Sequence, residues 1–139
     1  MLQDNGKKLK AFGKRIAEFV EDQGTDEAMQ EFVNPLADLG DKVTKLSTEL
    51  GMKAMGNADE VGAAAVDYLR VVGHLCFAYF FARMARIALD KQATGDSFYT
   101  AKLATARFYF AKLLPETASL IRACRAGVAP LMAMDEALF

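Results

Sequence analysis

Tryptophan is absent from this 139-residue chain, histidine occurs once, cysteine twice and proline three times. Each scarcity excludes something. A lone histidine, His74, cannot assemble the paired Glu-x-x-His sites of di-metal helical bundles, and the residue three before it is Val71. Nor does it leave a Ser/His/Asp or Cys/His constellation to argue for. Cys76 and Cys124 sit in apolar helical patterns with no CxxC or Cys/His spacing, so they read as buried thiols rather than metal ligands. Charge of either sign is not in excess: 17 Lys and Arg stand against 18 Asp and Glu. A nucleic-acid partner, which a basic excess would advertise, is therefore not expected. Alternating β-branched runs and hairpin dipeptides are nearly missing, which argues against a sheet. The longest uncharged run, Val71 to Ala82, falls short of the about 20 apolar residues of a membrane span. The N-terminus "MLQDNGKKLK" lacks an apolar core after its charges, so no signal peptide is expected and the cytoplasm is the expected location. Neither "VGAAAVDY" nor "GNADEVG" has the spacing of a phosphate loop.

What is present is helical spacing, on a chain that is 53% hydrophobic. A first helix is predicted from about Asn5 to Asp22, with Leu9, Phe12, Ile16, Phe19 and Val20 on one stripe. A second begins near Thr25, read as its N-cap, and carries Met29, Phe32, Leu36, Leu39, Val43, Leu46 and Leu50. Pro35 falls within it and predicts a start or a kink there. "GMKAMGNAD", 51–59, is expected as a loop. A third helix follows to about Lys91, its middle apolar on all sides. "GAAA", 62–65, reads as a close helix approach. Asp67 with Arg70, and Arg86 with Asp90, are spaced for surface pairs. A fourth helix runs from about Asp96 to Arg125, with Gly127 closing it. The tail from Val128 is expected to dock or fray. These patterns predict an all-α protein, an up-and-down four-helix bundle with long antiparallel helices and one domain over 1–139.

Helical angles divide the fourth helix in two. Tyr99, Leu103, Ala106, Phe110, Leu113 and Leu114 form the expected core stripe. Phe108 points the opposite way, and Tyr109 falls on a flank. A second apolar surface on the third and fourth helices needs a cover. We take Phe77, Phe81, Phe108 and Tyr109 as its candidate packing residues. Arg83, Arg86 and Arg107 read as solvating charges, or as phosphate contacts if a nucleotide lies near. The first helix places Lys7, Lys8, Lys10, Lys14 and Arg15 before Glu18, Glu21 and Asp22, an order that opposes the helix dipole. It is tolerated on a solvated surface, or it marks a piece of something longer.

"DYLRVVGHLCFAYFFARMARIAL" followed by "FYTAKLATARFYFAKLLPE" resembles the extra C-terminal helical domain of many bacterial acyl-CoA dehydrogenases. The resemblance is strongest over 56–132 and weaker over 1–55, where "DNGKKLKAFGKRI" is similar to the segment after the dehydrogenase core. Relatives often carry a Trp in the stretch matching "CFAYFFARMA"; this chain has none. The resemblance implies a parent flavoenzyme that oxidises an acyl-CoA to the 2,3-enoyl-CoA, with FAD in the parent and none expected in this chain. The family's catalytic Glu lies in a "YEG" motif, which is absent here, so neither Glu18 nor Glu21 takes that role and no catalytic, cofactor or metal residue is assigned. The implied role is structural: the third and fourth helices pack on the catalytic body or on a second subunit, the domain being inactive alone and the enzyme an oligomer. Two alternatives stand beside it. One is a stand-alone bundle binding a hydrophobic small molecule, suited by seven Met and ten Phe. The other is a homodimeric helical interaction module.

Overall fold

The computed structural model describes residues 6–138. Its regular structure among those residues is helical, with the long elements α1 (Lys7–Gln23), α2 (Glu27–Gly56), α3 (Asp59–Lys91), α4 (Ser97–Phe108) and α5 (Thr117–Ala126). A π turn, Tyr109–Leu113, and a 3₁₀ turn, Leu114–Glu116, carry α4 into α5. The two form the fourth rod of an up-and-down bundle, as expected. The expected start at Asn5 lies outside the described residues.

Short polar residues set the boundaries. Asp26, one residue past the expected cap, accepts from the amide of Ala28 at 2.9 Å, and Asp96 accepts from Phe98 at 2.9 Å. Asn57 accepts from the Asp59 amide at 3.0 Å and starts α3. The loop expected over 51–59 is only two residues long, because α2 continues to Gly56. Its glycines cost helix stability without ending the helix. Likewise α2 neither starts nor stops at Pro35. Gly127 does close the last helix, at φ 73°.

The central helix is α3, which packs on α1, α2 and the fourth rod. Phe12 and Phe19 of α1 meet the ring of Tyr79 edge-on at 5.4 and 5.7 Å. Phe32 of α2 meets Phe110 at 5.5 Å. Two forked ion pairs tie α2 to the fourth rod, Glu31 with Arg107 and Glu49 with Arg125. Both partners advance along the chain together, so these two rods run parallel, as up-and-down order requires.

By length and composition α3 is apolar enough to cross a membrane. The uncharged run from Val71 to Ala82 is shorter because it stops at Arg70 and Arg83, and a span of this length tolerates one or two such charges. One face of α3 is engaged by three helices, which makes α3 the core helix of the bundle. "GAAA" splits rather than acting as a unit: Ala64 is buried, whereas a side chain at Gly62 would meet nothing within 4 Å.

Candidate functional site

The fourth rod changes register at its middle, and Pro115 is the cause. A proline has no amide hydrogen, and its ring crowds the carbonyl four residues back. The chain relieves this by widening upstream, so that the Leu114 amide bonds the Tyr109 carbonyl, five residues before it. One extra residue enters the turn and the faces rotate. Tyr109 lies before the widening, its amide still bonding the Thr105 carbonyl four residues back, and the flank expected for it is buried, at 2% exposure. Leu113, expected in the core stripe, is turned out, while Leu114 stays in.

Tyr109 meets a polar cluster. Its hydroxyl donates to the carbonyl of His74 at 2.9 Å and lies 3.0 Å from His74 Nδ1. His74 Nε2 faces Glu116 Oε2 at 3.0 Å, and Arg70 closes on the same carboxylate. Arg70 thus pairs across helices rather than with Asp67. Burial pushes the Tyr109 hydroxyl far above the usual phenol range. The hydrogen bond from His74, then the charge of Arg70, holds Glu116 below the usual carboxylate range. These side chains satisfy one another, and none of the four lines either groove described below. We read the cluster as the anchor of the π turn. Among the described residues no group of His, Cys, Asp and Glu could hold a metal ion.

The three arginines read as solvating charges, or as phosphate contacts beside a nucleotide, are engaged within the chain. Arg86 bonds Asp26 and Asp90, Arg107 bonds Glu31, and Arg83 lies over the ring of Tyr79 at 5.6 Å. Cys124 is buried and Cys76 is half-buried; burial raises both thiols.

What remains is an outer apolar face. On α3, Val66, Leu69, Phe77, Phe80 and Ile87 are each more than half exposed. On α4, Phe98 and Phe108 are too. Between the helices lies an open groove of about 430 Å³, lined by Phe80, Met84, Ile87 and Phe98 among others. The four packing residues proposed from sequence divide here. Phe77 and Phe108 are at the surface. Phe81 is half-buried, stacked on Tyr109 at 4.4 Å, and Tyr109 belongs to the core. Sequence reasoning left out Val66, Leu69, Phe80 and Ile87. Their steps of three and four, continued along α3 away from its alanines, are the signal that finds them. A second groove of about 520 Å³ lies between α1 and α2, half enclosed, with Leu9, Val20, Val43 and Leu75 in its wall. The tail adds no core: Leu131, Met132, Met134 and Leu138 are exposed.

Comparison with known protein families gives a match over most of the chain. The family described as "Acetyl-CoA dehydrogenase C-terminal like" matches residues 12–135. No curated protein matches the chain.

Proposed function

The chain belongs to the acetyl-CoA dehydrogenase C-terminal-like family, and from that premise we propose that it is the helical packing module of an FAD-dependent acyl-CoA dehydrogenase. Acyl-CoA dehydrogenases are FAD enzymes. The module's task is to bury the outer face of α3 and α4 against protein, either the catalytic body or a second subunit. The observation that carries this is the face itself. Soluble monomers rarely leave so many large apolar side chains together in water.

The starts of α2, α3 and α4 do not suit a flavin. A dinucleotide wants helix N-termini and backbone amides free for its pyrophosphate. Here the amide ends of α2 and α4 are capped by Asp26 and Asp96, and α3 begins with Asp59 and Glu60. Carboxylates at those places repel phosphate. The polar cluster around His74 is consumed by its own hydrogen bonds. On this reading flavin and substrate chemistry belong to the catalytic body of such an enzyme, and we assign no reaction step to these residues.

Purified alone, the chain should show no flavin absorbance and should reduce no artificial electron acceptor when given acyl-CoA thioesters of any chain length. Retained flavin with turnover would overturn the proposal.

A further inference from the structure

We propose that the α3 part of the outer face is covered by a second copy of this chain, α3 against α3, antiparallel about a two-fold axis passing between Cys76 and Phe77. The proposal rests on the reading above that the face meets protein, and it names the occupant.

Four observations converge on it. The outer stripe of α3 sets a glycine and a large ring symmetrically about that point. Gly73 sits in mid-helix, where glycine costs stability, and a side chain there would meet nothing within 4 Å. Phe80, 57% exposed, is its counterpart on the other side of the axis. In an antiparallel pair the ring of one copy lies over the glycine of the other, and the helices approach closely.

That register fixes the rest. With Gly73 opposite Phe80, Leu69 falls opposite Met84 and Val66 opposite Ile87. Met84, Ile87 and Phe80 line the groove of about 430 Å³ between α3 and α4. Leu69 and Val66, at 72% and 71%, are the most exposed apolar side chains of α3. The two prominent side chains of one copy thus enter the open groove of the other, and the reciprocal contact follows by symmetry.

The ends agree in charge. Asp59 and Lys91 lie on the same stripe by helical angle, at the first and last turns of α3. Antiparallel packing sets Lys91 of each copy near the acidic start of the other. A parallel pair would set like charges together.

The area is sufficient. Phe77, Phe80 and Phe98 together with Val66, Leu69 and Ile87 expose on the order of 700 Å², taking roughly 200 Å² for a whole aromatic side chain. A standard interface takes about 800 Å² from each partner.

The test uses the full chain. Sedimentation velocity should find a dimer, and a short bis-maleimide should join two copies through Cys76, since Cys124 is buried. Leu69→Glu and Gly73→Leu should each weaken dimerisation by about tenfold or more, with the helical circular dichroism of the wild type. Both positions face outward, so folding should survive; Phe80→Glu, read the same way, is the check if either variant loses its helicity. A monomer across the concentration series would overturn the proposal, as would a dimer that the folded variants leave intact or that Cys76 does not link. Those results would leave the flavoenzyme reading standing, whereas flavin turnover by the chain alone would do the reverse.

Discussion

On its inner side α3 carries Ala64, Val71, Ala78, Ala82, Ala85 and Ala88, all buried. On its outer side it carries Val66, Leu69, Phe77, Phe80 and Ile87, all more than half exposed. Both sides are apolar, so hydropathy does not say which one faces the core; side-chain size does. Small residues inside let α2 and the fourth rod come close to α3, and the large residues of α2, Phe32 and Met29 among them, fill the space between. Among the described residues the large outer side chains have no such complement. A helix with small residues on one face and large ones on the other presents two apolar surfaces, and among the described residues only the inner one is packed.

The sharpest way to break this comparison is to delete the same side chain on the two surfaces. Phe32 is fully buried against Phe110, and Phe80 is 57% exposed. Phe32→Ala removes a core ring and leaves a cavity, which should cost about 3–5 kcal/mol. Phe80→Ala should change the stability of the dilute monomer by no more than about 0.5 kcal/mol. Urea unfolding at low protein concentration measures both. Equal losses would mean that the outer ring supports the bundle, and the two faces would not differ as argued.

A smaller effect probes the small inner residues. Ala82 is fully buried where α3 meets its neighbours. Ala82→Leu inserts methylenes into filled space and should cost about 1–3 kcal/mol. Gly73→Ala, on the outer side with nothing within 4 Å, should instead stabilise the dilute monomer by roughly 0.5–1 kcal/mol, because alanine is the better helix former. Opposite signs in the same helix, read from thermal or urea unfolding, would sharpen the comparison; the same sign would break it.

How much of this could be read from the residues differs by element. The four rods were legible because Phe12, Ile16, Phe19 and their counterparts recur at steps of three and four. The covering demand on α3 and α4 was legible too, since Phe108 cannot share a face with Leu103 and Phe110 on a regular helix. The choice of packing residues was legible only in part. Leu113 falls out of the core stripe because the helix is not regular through it, whereas Tyr109 lies on the flank that α3 covers. Pro115 was visible, but whether a proline kinks the rod, ends it or opens a π turn depends on what waits inside; here His74 and Glu116 reward the rotation. The turn at Asn57 was hidden by the glycines before it, whose weak helix propensity was overridden by packing. The pairing of Arg107 with Glu31 joins residues far apart in the chain, and no local pattern announces it.

The seam between the two faces offers the smallest and most specific effect. Glu116 lies at the edge of the fourth rod, bonded by His74 and Arg70, and its carboxyl is held below the usual range by those partners, His74 first. A carboxylate whose folded value is depressed binds protons less readily in the folded state than in the unfolded one. Its contribution is therefore fully present above the ordinary carboxylate value of 4.5 and lost as pH falls through the lowered value. Glu116→Gln should lower the urea midpoint slightly at neutral pH, and the gap from wild type should close on acidification. Side-chain exposure of 43% keeps the effect small. A gap that persists in acid would mean that Glu116 acts through shape rather than charge, and that the anchor of Tyr109 does not depend on its ionised partner.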